Sequence, residues 1–343
     1  MRICIVGAGA IGGLLGVALS RSEHEISMVA RGATLEAIRE RGLRLRSDQE
    51  ESRARPNCAD DPRALGTQDV VILAVKAQQA ADAAESIAPL LATETAVVTA
   101  MNGLPWWYFY KHGDRYEDRR LESVDPGGRL WRAIHPSRVI GCAVYAAAEP
   151  LGPGLIRHVF GDRFIFGEPD GAITPRCLQV QKAFAASGLQ AQVRDNIRVE
   201  LWRKLWGNLS FNPISALTGA TLDVIASDAG TRAIARQMMI EAREIGAALG
   251  IETGLDLEQR LDAAASVGAH KTSMLQDLER GRSLELDALV TAVQEMGRLV
   301  GVDTPYIDAV LALTRQRART LGLHPAAGTR GGSESPPSRG IAC

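Results

Sequence analysis

The chain predicts an α/β protein: a doubly wound parallel sheet followed by a second, mostly α-helical domain. Three observations carry that prediction. Over the first half of the 343 residues, short continuous apolar runs alternate with helical stretches, the pattern of a buried parallel sheet with crossover helices. The first of these runs ends in a glycine-rich turn. Beyond residue 195 the strand-like runs stop and helical periodicity takes over. The length fits two cores, because single cores rarely grow past about 250–300 residues.

Each element follows in order. Residues 2–6 (Arg-Ile-Cys-Ile-Val) are a buried strand, and residues 14–20 continue the glycine turn as a helix. Residues 25–29 are a strand, 34–41 a helix closed by Gly42, and 43–46 a short strand; glycine is the favoured residue just past a helix end. The run 69–75 is another apolar strand, 77–91 an alanine-rich helix, and 96–99 a strand leading into Met101-Asn102-Gly103. Residues 106–132 break the pattern, with Trp106, Trp107, Tyr108, Phe109, Tyr110 and Trp131 among many charges, and predict an inserted lobe or loop. Strands at 139–145, 156–160 and 163–167, expected to be antiparallel, a helix at 176–187 and a strand at 189–193 complete a first domain over 1–194. A second domain over 195–324 carries helices at 199–217, 230–250, 257–266, 284–300 and 306–321. The stretch 325–343, rich in Gly, Ser, Pro and Arg, predicts a disordered tail.

Composition narrows the function. The chain is 46% apolar and 23% charged, with a formal net charge of -1, as in ordinary soluble globular proteins. Without a basic excess, nucleic acid and a membrane surface are not expected partners. No apolar run reaches the ~20 residues of a membrane span. The apolar residues 1–19 read as strand, turn and helix start rather than as a signal peptide, so a cytoplasmic location is expected. Cys4, Cys58, Cys142, Cys177 and Cys343 are scattered, with no CxxC or zinc-knuckle spacing, and the six histidines are dispersed. Neither a disulfide framework nor a metal site is expected.

Gly7-Ala8-Gly9-Ala10-Ile11-Gly12 is a GxGxxG turn between the first strand and the first helix. In that context it is a dinucleotide-binding turn: Gly7 makes the tight turn, Gly9 lets the backbone approach a pyrophosphate, and Gly12 allows helix-on-strand packing. The helix N-terminus adds its dipole to phosphate binding. The next strand ends Val29-Ala30-Arg31 without the carboxylate that grips the ribose hydroxyls of NAD. Arg31 offers a fork for a 2'-phosphate instead, so NADPH is the expected cofactor. Lys76 and Asn102 follow two further strands at the edge where ligands bind. Each has a plainer alternative: Arg31 or Lys76 as a solvated cation, Asn102-Gly103 as a turn.

Lys204, Asn208 and Asn212 stand at i, i+4, i+8 and share one helix face. A ketone reductase needs a proton donor at the carbonyl oxygen, and a desolvated lysine can supply it; the alternative is a polar helix face. Residues 272–285 form a dense polar motif between helices, where Asp277, Glu279 and Arg280 are expected to stabilise the chain locally or to sit in water.

In these motifs the chain resembles the ketopantoate reductase (2-dehydropantoate 2-reductase) family. The resemblance lies in the turn at 7–12, Val-Ala-Arg at 29–31, Val75-Lys76, Asn102-Gly103, the KLxxNxxxNP run at 204–213, and the SMLQD…GR..E run at 273–285; it extends from residue 1 to about residue 322. It implies a Rossmann-type domain, a helical domain, an active site in the cleft between them, and a small-molecule 2-oxo acid as substrate. It also implies Lys204 as the general acid, with Glu285 binding the substrate hydroxyl and orienting the lysine. Asn208, Asn212 and Ser273 would hold the substrate, Ser273 near its carboxylate. Asn102 would face the nicotinamide, and Arg31 and Lys76 the rest of NADPH. Two departures sit where specificity would be set. His270 stands where the family carries asparagine, either as a substrate contact or as an interhelical histidine, and the 106–132 segment is longer than the family's compact version. The readings that follow are reduction of ketopantoate to pantoate in pantothenate biosynthesis, reduction of another 2-oxo acid or ketone, and a non-catalytic NADPH-binding sensor. A homodimer is left open.

Overall fold

Alternation governs the first strand: Ile3 and Ile5 face one layer, Cys4 and Val6 the other, and all four are buried. A strand buried on both faces belongs inside a sheet covered by other elements. The computed structural model describes residues 1–48 and 50–324; the tail predicted at 325–343, with Cys343, lies outside the described residues.

The first domain runs β1 (Arg2–Val6), α1 (Ala10–Leu19), β2 (Glu25–Val29), α2 (Gly32–Arg41), β3 (Leu43–Arg46), β4 (Glu51–Ala54), β5 (Asn57–Ala59), β6 (Gln68–Leu73), α3 (Ala80–Ser86), β7 (Leu91–Thr99), α4 (Arg129–Ala133), β8 (Val139–Gly152), β9 (Leu155–Gly167), α5 (Pro175–Ala186) and β10 (Gln190–Val193). The helical domain follows as α6 (Ile197–Thr218), α7 (Leu222–Ser227), α8 (Ala229–Ala248), α9 (Leu257–Ala265), α10 (Ser273–Glu279), α11 (Ala292–Val300) and α12 (Pro305–Thr320), with a π-helical turn at Asp287–Thr291 before α11.

The strands form one sheet in the order β4-β3-β9-β8-β7-β6-β1-β2-β5, with β10 also paired to β9. From β5 to β8 every neighbouring pair is parallel, which is the doubly wound Rossmann order. The sheet then reverses: β8 and β9 are antiparallel, as are β3 and β4. Only Arg55 and Pro56 separate β4 from β5, yet these strands end opposite sides of the path. The sheet therefore curls into a half-barrel. Inside it lies α1, in which every residue from Gly12 to Leu19 is buried. A helix buried all round needs small residues where walls come close. A Cβ on Gly13 would stand 2.4 Å from Ile156 Cγ1, and one on Gly16 2.6 Å from Leu43 Cδ2.

Several predicted elements change on folding. The two strands expected at 156–160 and 163–167 are one strand, β9. Gly161, which breaks the apolar pattern, sits at φ +72° with room for no Cβ beside the Tyr145 carbonyl (2.5 Å). It lies where the β8–β9 register shifts, in a bulge rather than a turn. The helix expected over 77–91 divides into a 3-10 turn, α3 and a second 3-10 turn holding Pro89, because proline bars a continuing helix. The polar strands β4 and β5 lack an apolar signal, and the segment 272–285, read as lying between helices, contains the two-turn helix α10.

The 106–132 segment folds inward. Trp106, Trp107, Tyr108 and Phe109 are almost wholly buried. Trp106 and Trp107 join the sheet core, while Tyr108, Phe109, Tyr116 and Leu121 join the core of the helical domain. The segment is thus a wedge that ties the domains together. Arg198 secures it, donating to the carbonyls of Tyr108 and Tyr110, each at 2.6 Å.

Candidate active site

The glycine turn at 7–12 has the geometry that its spacing predicts. Gly7 has φ +101°, and its N–H donates to the Val29 carbonyl at 3.1 Å, which joins the turn to the end of β2. A Cβ on Gly12 would fall 1.8 Å from the Gly7 carbonyl oxygen, whereas a Cβ on Gly9 would meet nothing within 4 Å. The turn is closed on its protein side and open at Gly9, where Ala10 and Ile11 begin α1 with their N–H groups outward. Ala8 and Ile11 pack against the sheet core from the edge. Arg31 caps the next helix and is exposed, at the same carboxyl edge.

Lys204 is carried by α6 to the boundary of the domains, where its Nζ donates to Asn102 Oδ1 at 2.7 Å. The Asn102 side chain also hydrogen-bonds the Glu285 carboxylate, whose Oε1 accepts from the Ala77 N–H at 2.9 Å. Three segments distant in sequence thus meet in one Lys204–Asn102–Glu285 chain. Gly103 makes the approach possible: its φ is +86°, and a Cβ there would lie 2.5 Å from the Ala288 carbonyl, which accepts from the Leu104 N–H at 2.9 Å. Burial pulls the Lys204 ammonium down to about 8, against the opposing pull of the Cys142 thiol and Glu285. Burial pushes Glu285 up; the Ala77 N–H and Lys76 draw it back, and Asp277 adds to the rise.

Lys76 takes part in the domain contact. Its Nζ lies 2.7 Å from Asp277 Oδ2 and donates to the Ser283 carbonyl at 3.2 Å. Asp277 and Arg280, expected to act locally or in water, instead reach across to the first domain. Arg280 pairs with Glu149 at 2.5 Å, and Glu149 also holds Arg157. Glu279 forms an exposed pair with Lys271.

Within the helical domain, α10 packs against α6. Asn212 is buried with its Nδ2 3.5 Å from Ser273 Oγ; Asn208 is half-buried one turn before it. The half-buried His270 packs edge-on against Phe160 of β9, with ring centroids 5.4 Å apart, and burial holds its imidazole below the usual value and hence neutral at pH 7. Sequence reasoning missed Phe160, the partner of His270. Phe160 stands beside the bulge glycine, the one signal that could have marked it. Arg260 of α9 crosses Gly207, its Nη2 2.2 Å from where a Cβ would be.

The family model for ketopantoate reductase PanE/ApbA matches residues 3–171, and the model for its C-terminal domain matches 196–318. A 2-dehydropantoate 2-reductase of Mesorhizobium japonicum is 55% identical over 94% of this chain and 100% of the relative. A solved protein of Ralstonia solanacearum MolK2, assigned to the ketopantoate reductases, superposes with a TM-score of 0.90 at 45% identity, covering 94% of this chain and 99% of that one. A D-mandelate dehydrogenase solved with NADH and anilino(oxo)acetate shares the fold, with a TM-score of 0.81 at 21% identity over 94% of this chain and 100% of that one. The chain, an oxidoreductase, belongs to the ketopantoate reductase family.

Proposed function

We propose that the chain reduces 2-dehydropantoate to pantoate with NADPH, using Lys204 as the general acid. The observation that carries this reading is the Lys204–Asn102–Glu285 chain at the domain boundary, beside the carboxyl edge of the sheet. When bound, the nicotinamide supplies the hydride that adds to the carbonyl carbon. Lys204 donates a proton to the carbonyl oxygen, which becomes the hydroxyl of the product. An ammonium brought down to about 8 is a stronger acid than an ordinary lysine and is still mostly charged at pH 7. Glu285 accepts a hydrogen bond from a substrate hydroxyl and holds Lys204 in place through Asn102. Asn208, Asn212 and Ser273 hold the rest of the substrate without adding charge, and His270 closes it from the side as a neutral ring.

Gly7, Gly9 and Gly12 carry the pyrophosphate, and Arg31 takes the 2'-phosphate. Lys76, beyond its pairing with Asp277, adds positive charge to that edge. The four described cysteines are free and buried, which fits a reducing cytoplasm. The 2-dehydropantoate 2-reductase at 55% identity supports the substrate. The test is oxidation of NADPH by the purified protein with ketopantoate; no turnover would sink the proposal. In the same assay Arg31→Ala should raise the KM for NADPH by roughly 10- to 100-fold and leave NADH nearly unaffected, the loss of one charge-assisted phosphate contact. A second reading, reduction of a different 2-oxo acid, is favoured by the Phe160–His270 pair, and a substrate panel separates the two.

A further inference from the structure

A pocket of about 400 Å³ opens at the far end of α1 from the glycine turn. It lies in the seam of the half-barrel. The strands β4 and β5 end opposite sides of the sheet path and are not paired with each other; Arg55 and Pro56 join them across the gap. Val17 of α1 and Ile26 of β2, both buried, form the apolar floor. Around it stand the exposed Arg21, Arg53 and Arg55 and the half-buried His24. Among the described residues no carboxylate lines the pocket. Arg21 has ordinary employment: it follows the negative end of α1, which favours a cation, lies 3.6 Å from Glu50 and donates to Ser52. Arg53 and Arg55 do not. Arg53 acts on Glu51 only through space, and that carboxylate is already held by Arg46 at 2.9 Å and Arg44 at 3.6 Å. Neither Arg53 nor Arg55 makes an ion pair or a hydrogen bond to a described residue.

The chemistry of the lining says what fits. A cleft lined by one sign of charge concentrates the opposite ion. Two unpaired guanidiniums match two negative charges, and their planar forks suit phosphate oxygens. A phosphate monoester carries about −1.5 to −2 at pH 7. The volume is that of a small-molecule site, and its apolar floor calls for an organic group beside the charge. We propose that this pocket binds a small organic phosphate monoester, at a site separate from the glycine turn. Arg53 and Arg55 grip the phosphate, and Val17 and Ile26 receive the organic part. The ten residues of α1 hold the two sites about 15 Å apart. The pocket does not depend on the reductase reading.

The test is titration calorimetry with phenyl phosphate, inorganic phosphate and benzenesulfonate, at low salt and with NADPH in excess to fill the glycine turn. The wild type should bind phenyl phosphate saturably. It should bind inorganic phosphate more weakly, for want of the ring, and benzenesulfonate more weakly, for want of the second charge. Arg53→Ala and Arg55→Ala should each weaken phenyl phosphate by roughly tenfold, the loss of one charge-assisted contact, and the double variant by more. Both side chains are exposed and unpaired, so the melting temperature and the KM for NADPH should match the wild type. Arg31→Ala should bind phenyl phosphate as the wild type does. No saturable binding to the wild type, or undiminished binding to the double variant, overturns the proposal. Binding that Arg31→Ala removes and the double variant keeps places the anion at the glycine turn and overturns it as well. Equal affinity for inorganic phosphate overturns the organic class. Failure of any arm leaves the reductase reading standing, and a protein that reduces no 2-oxo acid leaves the pocket standing.

Discussion

At the scale of single residues, the glycine turn separates two kinds of requirement that look alike in sequence. Gly12 is a packing glycine, because its missing Cβ is the room occupied by the Gly7 carbonyl. Gly9 faces open space and is needed only when a phosphate approaches. Gly9→Ala should therefore fold with an unchanged melting temperature and lose cofactor affinity by tenfold or more, about 1.4 kcal/mol. Gly12→Ala should lose both, because backbone cannot yield to a 1.8 Å contact. Melting curves and NADPH fluorescence titrations on the two variants check this. Equal melting losses would refute the distinction. The tight turn at Gly7 and the packing at Gly12 could be read from the sequence because each follows from the local turn. Gly13 and Gly16 could not, because what they accommodate are Ile156, Leu43 and Met28, brought in by the curled sheet.

At the scale of elements, α6 and α10 carry the proposed site and a charged latch holds them to the sheet. Glu149 is 8% exposed and holds both Arg157 and Arg280. Burial pushes its carboxyl up, but the arginines outweigh burial and its pKa is lowered overall. A lowered carboxyl contributes stability that is present above its unfolded value near 4.3 and is lost as pH falls through the folded value. Glu149→Gln should cost about 1–2 kcal/mol at pH 7, discounted because both arginines are partly exposed. The deficit should shrink in acid, below about pH 4. Urea unfolding at pH 7 and in acid measures it; a deficit that does not depend on pH would contradict the latch. None of this was visible in the chain. The segment 272–285 reads as polar and solvated because its partners, Lys76 and Glu149, lie more than a hundred residues away. Periodicity reports an element's own face, not the element it meets. The helix α6 was legible, since Lys204, Asn208 and Asn212 share a face by spacing alone.

At the scale of the whole molecule, the doubly wound order and the two-part architecture followed from alternating apolar runs and the change of period after residue 195. The half-barrel did not, because it depends on polar strands β4 and β5 and on a bulge at Gly161. The aromatic segment at 106–132 also misleads locally: its charges suggest a lobe, while its rings are divided between the two domain cores. That wedge and the latch set the boundary at which Lys204, Asn102 and Glu285 meet, so the proposed chemistry belongs to neither domain alone. The central claim is that Lys204 delivers the proton. The most direct measurement is the pH profile of kcat/KM for ketopantoate reduction with NADPH, for the wild type and for Lys204→Ala. A lysine at about 8 predicts a wild-type rate that is level below that pH and falls tenfold per unit above it, and a Lys204→Ala rate lower by roughly 10²–10⁴-fold with no such fall. A Lys204→Ala protein that keeps the wild-type rate, or the same decline near pH 8, would contradict the account.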